Sequence, residues 1–348
     1  MSGGQDVKTS QFSFDLPENQ IAQEPAADRE SARLLVLDRA TGAAVDSTVR
    51  DFAAFLEPGA VVVLNDTRVR KARVFAQTGA GGRTEFLLLS RREPTLWEAM
   101  AGRAKRAKPG MLFHFPGKVT GTIEDAPDET RGQTRLVRFD APIDDPWLEK
   151  HGHVPLPPYI RRAYTIADGE RYQTTFSRVT GSAAAPTAGL HFTPRLLDAL
   201  RDRGAQVAWL TLHVGLGTFL PIRTEEIENH QMHEELYSIP LATKDLVDAA
   251  ISDHRTVCAI GTTVVRALES AWSSEGLREG DGRTKIYITP GYDFKVVTRL
   301  FTNFHTPGSS LLVLVSAFAG RELVLQTYAE AVRRGYRFFS YGDAMLIQ

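Results

Sequence analysis

The feature that most constrains this chain is an alternation. Past the proline-rich HGHVPLPPYIRR segment, helix-length and strand-length patterns follow one another almost to the last residue. PRLLDALRDR, TKDLVDAAISDH, TTVVRALESAW and RELVLQTYAEAVRR carry apolar residues at helical spacing. AQVAWLTLHVGL, TVCAIG, KIYITP, VTRLFTNFH and the final YRFFSYGDAMLI read as strands. Such a succession specifies an α/β body. Residues 12–69 add a strand RLLVLDR and a second, AVVVLN, which is apolar throughout, as strands covered on both faces are. The second ends in Asn65-Asp66-Thr67-Arg68, and ligands collect at polar strand ends of this kind.

Between Lys71 and Lys150 the alternation gives way to short pieces (KARVFAQT, TEFLLLS, WEAMAG, MLFHF, VTGTIE, RLVRF) separated by GAGG, KPG, PGK and RGQ. Closely spaced short strands with turn residues between them predict a small antiparallel barrel. At 348 residues the chain exceeds what one core usually organises. The expected organisation is therefore a discontinuous larger α/β domain, residues 1–70 plus 151–348, carrying the catalytic groups. A smaller β-barrel domain, residues 71–150, is inserted into it.

Composition narrows the function classes. The formal net charge of −1 leaves RNA contact to a local basic patch. A single cysteine, Cys258, excludes a disulfide framework and a cysteine-rich zinc site. The polar start and the lack of a long apolar run point to a cytoplasmic protein with no membrane span.

Several polar residues stand where chemistry is expected. In PTAGLHFTPRLL, Thr193 suits a helix N-cap and Pro194 the first helical position, with Gly204 closing the helix. This leaves His191 in a tight turn at the positive end of a helix, with Thr187 and Gly189 beside it. In QVAWLTLHVGLGTFLP the period of two puts Val207, Trp209, Thr211 and His213 on one strand face, as a pocket wall would be. Gly215, Gly217 and Thr218 follow, but a third glycine is missing and Pro221 blocks a helix, so a dinucleotide fingerprint is not met. Thr262 and Thr263 open a helix after Gly261 and could hold a carboxylate or simply cap it. Arg266 and Glu269 share that helix's face. Arg299, Phe301, Asn303 and His305 alternate along RLFTNFH, and Asn303 can read a nucleobase edge. Arg103, Lys105, Arg106 and Lys108 make a basic run suited to RNA phosphates or to plain solvation, with Arg161 a weaker candidate. His230, His233 and Glu234 would offer a metal site if HQMHEEL were helical.

Taken together, FDLPENQIAQ, VVVLNDTRV, VPLPPYI, ERYQTTF, AAPTAGLHFT, TLHVGLGTF, IENHQMHEE, AIGTTVVRALES, TNFH and YRFFSYGDAMLI resemble the S-adenosylmethionine:tRNA ribosyltransferase-isomerase family over nearly the whole chain. Its pattern departs at TPGSS, where Gly308 stands in place of an expected lysine. The resemblance implies a mixed α/β fold with a barrel at the centre of the larger domain and a smaller inserted β-barrel. It implies transfer and isomerisation of the ribosyl group of S-adenosylmethionine onto 7-aminomethyl-7-deazaguanine at the wobble position of tRNA. Epoxyqueuosine-tRNA, adenine and methionine are the implied products. S-adenosylmethionine is then a co-substrate, no cofactor or metal is needed, and the protein works as a monomer. On that reading His191, His213 and His305 are the candidate catalytic residues, unranked. Thr187, Gly189, Gly215, Gly217, Thr218, Thr262, Thr263, Arg266 and Asn303 are the candidate donor-binding ones. Arg103, Lys105, Arg106, Lys108 and Arg161 are the candidate tRNA contacts.

Overall fold

A computed structural model describes residues 7–102, 107–124, 134–215 and 222–348. The chain divides into two units: residues 1–68, 157–163 and 171–348 form the larger, and residues 69–156 with 164–170 the smaller. The smaller unit thus begins at Val69 and ends at Leu156, and takes in Tyr164–Glu170 as well.

The larger unit is built on a nine-stranded sheet in the order Gly280–Thr284, Glu235–Ile239, Gln206–Leu212, Val61–Asn65, Val257–Ile260, Arg299–Asn303, Ala344–Ile347, Arg33–Leu37, Ala44–Thr48. Among the described residues, Gly280–Thr284 and Ala44–Thr48 are its outermost strands. The mixed α/β class is as expected. Side-chain alternation explains why the central strands are apolar throughout. Val61 and Val63 enter one hydrophobic cluster while Val62 and Leu64 enter another. Val257 and Ala259 likewise part from Cys258 and Ile260, and Leu35 and Leu37 from Leu34 and Val36. Helices Leu241–Ser252, Thr262–Ala271, Ser310–Ala319 and Arg321–Arg333 contribute to the first cluster, and Pro194–Asp202 covers the second. Thr193 caps the last of these, its Oγ1 accepting from Leu196 N at 3.2 Å. Ser309 caps Ser310–Ala319 in the same way through Leu312 N. No single helix among the described residues is long and apolar enough to cross a membrane.

Two expected strands differ. KIYITP is irregular, and the strand lies just before it, at Gly280–Thr284. Pairing with Glu235–Ile239 lays Gly282 flat on Tyr237, where a Cβ would come within 2.3 Å of the ring. At that position only glycine fits. Of YRFFSYGDAMLI only Ala344–Ile347 is strand. The rest is a tight loop in which Phe339 has φ +73° and Gly342 N donates to Phe339 O at 2.9 Å. The Asp343 carboxylate closes the loop by accepting from Arg337 N at 2.8 Å and ties it to the strand Arg33–Leu37 by accepting from Arg33 N at 3.0 Å.

The smaller unit is a closed antiparallel barrel in the order Arg135–Phe139, Leu96–Ala101, Arg83–Glu93, Arg73–Thr78, Leu112–Phe115, Val119–Glu124. Phe86, Phe113, Phe115, Phe139 and Trp97 fill it.

Candidate functional site

Four neighbouring strands of the large sheet, Gln206–Leu212, Val61–Asn65, Val257–Ile260 and Arg299–Asn303, run parallel. Their C-terminal ends therefore line up along one edge. The antiparallel Ala344–Ile347 begins at the same edge, with Asn303 opposite Ala344. Every polar cluster singled out at a strand end falls on this line: Thr211 and His213, Asn65 to Thr67, Gly261 to Thr263, and Asn303 to His305. An edge of this kind is where open α/β sheets bind ligands.

At its centre, Asn303 Nδ2 lies 3.2 Å from His191 Nε2. An amide nitrogen can only donate, so Nε2 accepts and the ring proton resides on Nδ1. Asn303 Nδ2 also reaches Asp343 O at 3.4 Å, while Asn303 Oδ1 is buried with no partner among the described residues. His191 is 5% exposed, and burial lowers its pKa from 6.5 to about 4. His305 is also buried, and burial lowers its pKa to about 3. Its Nε2 is 2.9 Å from Thr302 Oγ1, in place of the alternating position expected for it. Both imidazoles are therefore uncharged at neutral pH. The turn Thr187–His191 brings Thr187 beside Asn303, His305, Tyr159 and Ser340 around a cavity of ≈ 30 Å³. Tyr159 and Ser340 are hydrogen-bonded through their hydroxyls. Gly189 serves packing, since a Cβ there would lie 3.0 Å from Thr174 and 3.1 Å from Phe176.

Gly261 adopts φ +96° and stands against this turn, with Ala188 Cβ 3.3 Å from where a side chain would begin. Thr263 Oγ1 accepts from Asn65 Nδ2 at 3.4 Å. Asn65 also bridges to Leu212, donating to its O at 2.9 Å and accepting from its N at 3.0 Å. His213, on the far side of Asn65, is in a second group. Its Nδ1 lies 2.8 Å from Thr67 Oγ1, and it lines a cavity of ≈ 520 Å³ with Thr211, Tyr237 and Arg283. That volume is in the range of small-molecule sites.

Arg266 does not pair with Glu269. Its guanidinium forms a buried ion pair with Glu235, both side chains being 3% exposed. Glu235 Oε1 also accepts from Gly215 N at 2.9 Å. Arg266 Nη2 has no partner among the described residues. Glu269 instead accepts from the backbone N–H groups of Lys295, Val296 and Val297 at 3.0–3.1 Å, fixing the loop before Arg299.

Gly217 and Thr218 lie outside the described residues, as do Arg103, Lys105 and Arg106. Lys108 is exposed. Arg161 is exposed too and pairs with Glu18 at 3.2 Å. HQMHEEL is not helical: His230 follows the short turn Ile227–Asn229, and the chain is then extended into Glu235–Ile239. His230 and His233 therefore lack the common helix face that the metal reading required, and Glu234 pairs with Arg283 and Lys285. Gly308, at the position of the expected lysine, has φ +65°, and its N donates to Phe12 O at 2.8 Å.

Sequence reasoning missed Glu235, Tyr159, Ser340, Arg29 and Arg171. The last two line a cavity of ≈ 20 Å³ with His191 and Ser340. No local pattern marks these residues, because each acquires its neighbours from a distant segment.

Comparisons with known proteins agree over the full length. The family described as queuosine biosynthesis protein matches residues 9–347. An S-adenosylmethionine:tRNA ribosyltransferase-isomerase of Geobacter metallireducens is 48% identical, covering 98% of this chain and 100% of its own. One from Treponema denticola is 46% identical, covering 97% and 99%. The crystal structure of the S-adenosylmethionine tRNA ribosyltransferase of Thermotoga maritima is 34% identical, with a TM-score of 0.57, over 97% of this chain and all of that one.

Proposed function

This chain belongs to the queuosine biosynthesis protein family, and from that premise we propose that its polar strand edge carries out ribosyl transfer from S-adenosylmethionine to tRNA. The ribosyl group is transferred and isomerised onto 7-aminomethyl-7-deazaguanine at the wobble position. Epoxyqueuosine-tRNA forms, and adenine and methionine leave. The observation that carries this reading is the meeting of His191, in the turn Thr187–His191, with Asn303, 112 residues away at the end of a strand in the parallel set.

The chemistry demands little charge from the protein. The donor's sulfonium acidifies its own C5′ hydrogens, and a base there generates an ylide. Loss of adenine needs a hydrogen-bond donor at the purine, and the attacking amine must be unprotonated. A protonated imidazole would repel a cationic donor, and burial keeps His191 and His305 neutral. With Nε2 accepting from Asn303 and the ring N–H donating to the backbone carbonyl of Arg29, His191 acts as an anchor that fixes Asn303 against the donor. His213 and His305 remain the candidate bases. Thr187, Thr262, Thr263 and the segment from Gly215 through Gly217 and Thr218 hold the donor's polar parts. Asn303 Oδ1, buried and unpartnered, suits an exocyclic amine. Arg266 acts through Glu235 on Gly215. The basic run Arg103, Lys105, Arg106 and Lys108 contacts tRNA phosphates, with Arg161 subsidiary because Glu18 offsets it. The protein acts as a cytoplasmic monomer.

Incubation with S-adenosylmethionine and tRNA bearing the 7-aminomethyl-7-deazaguanine precursor tests this. Free adenine should appear in step with modified tRNA. His191→Ala should slow turnover about 100-fold, ~2.7 kcal/mol of barrier. A loss within about threefold, ~0.7 kcal/mol, removes His191 from the site.

A further inference from the structure

The cavity behind His191 carries charge that the reading above leaves unused. Its wall is made by Pro25, Ala26, Arg29, Ala32, Arg171, Leu190, His191, Ser340, Tyr341 and Gly342, so two guanidinium groups face it and no carboxylate does. Arg29 Nη1 donates to Leu190 O at 2.8 Å. Arg171 donates through Nη1 to Ala27 O at 3.1 Å and through Nη2 to Ala26 O. The acceptors of Arg171 are backbone carbonyls, which orient its fork without neutralising it. Arg171 Nε is buried with no partner among the described residues. Burial and the charge of Arg171 together lower the pKa of Arg29 to about 10. Two guanidinium groups lining one cavity offer an anion paired, charge-assisted hydrogen bonds.

We infer that Arg29 and Arg171 form a carboxylate subsite for the amino-acid tail of the sulfonium donor. The inference rests on the proposed function, which makes that donor a substrate. Size favours a carboxylate over an RNA phosphodiester. The cavity of ≈ 20 Å³ has small apolar side chains around it. About 10–15 Å³ on the same scale admits one water. A planar carboxylate fits that space and matches the flat guanidinium fork, whereas a diester carries a nucleoside on each side. Position agrees as well. Ser340 and the His191–Asn303 pair stand between this cavity and the one lined by Thr187, Asn303 and His305. The donor is a zwitterion, and the edge sorts its charges: neutral imidazoles beside the sulfonium, arginines beside the carboxylate.

The test compares equilibrium binding of S-adenosylmethionine and of its decarboxylated analogue to wild type, Arg171→Met and Arg171→Lys, each checked for an unaltered thermal transition. Arg171→Met should weaken S-adenosylmethionine at least tenfold and leave the analogue unaffected. Arg171→Lys should recover most of the loss, and KM for precursor tRNA should not move. Equal weakening of both ligands, or Lys and Met variants equally weak, would mean a role in packing only and overturns the inference. A raised KM for tRNA with unchanged donor affinity overturns it in favour of a phosphate contact. Wild type that releases no adenine contradicts the proposed function itself. Wild type that releases adenine but binds both ligands alike sinks the subsite alone.

Discussion

The polar strand edge and the small barrel handle charge in opposite ways. Along the edge, ionisable and amide groups are buried and hold one another: Glu235 with Arg266 and Gly215, Asn303 with His191, Asp66 with Thr211 at 2.6 Å. On the barrel, arginines and glutamates sit on the outside of an aromatic core, as with Arg73–Glu85 at 2.7 Å and Arg138 between Glu93 and Glu124. Desolvated groups cannot be changed singly without leaving a partner stranded, whereas solvated ones can. The difference marks the edge as the region whose geometry is over-determined, and such a region is suited to hold a reacting substrate.

The comparison breaks first at Glu235. Glu235→Ala would strand Arg266, which is 3% exposed and already has one nitrogen without a partner among the described residues. Removing one member of a buried pair costs roughly 3–5 kcal/mol. Urea unfolding should show a loss of that size together with reduced turnover, because Gly215 loses its acceptor. A cost under about 1 kcal/mol would show that water reaches Arg266 and that the edge is not closed.

How far the sequence discloses this arrangement follows from the range of each interaction. Strand ends are local features, so Asn65, Thr262 and Asn303 stand out in the sequence, and parallel pairing then brings them to one edge. The capped helix at Thr193 and the alternation through Val207 and Trp209 are equally local. Partners that meet across the fold leave no such trace. Arg29 and Arg171 are separated by 142 positions, and their neighbourhoods look like ordinary polar loops. Arg266 has an acid three residues on, yet its partner is Glu235, because Glu269 is taken up by the backbone N–H groups of Lys295, Val296 and Val297. YRFFSYGD has the composition of a strand, but the positive φ of Phe339 and the bonds to Asp343 turn it into a loop.

Acid separates the two regions next. His191 and His305 are neutral in the folded state down to about pH 4 and 3, against about 6.5 in an unfolded chain. Above pH 6.5 neither state is protonated at these sites, and they add no pH dependence. Below it the unfolded chain binds protons that the folded one refuses, so stability falls as pH drops. By pH 4.5 the loss should approach about 3 kcal/mol per histidine. Urea midpoints at pH 7 and pH 4.5 measure it, and His305→Gln should flatten the slope. An unchanged slope in that variant would place His305 in contact with solvent.

The smallest effect belongs to the barrel surface. Arg73 and Glu85 form an ion pair at 2.7 Å with side chains 25% and 37% exposed. Water competes for both groups, and holding two flexible side chains together costs entropy, so such pairs contribute at most about 1 kcal/mol. Glu85→Gln keeps the size and removes the charge, and it should lower stability by less than that. Raising ionic strength should shrink the difference further, since salt screens exposed pairs much more than buried ones. The Glu235 substitution should respond little to the same salt series. If the Glu85 effect proved as large and as insensitive to salt as that of Glu235, burial would not be what distinguishes the edge from the barrel.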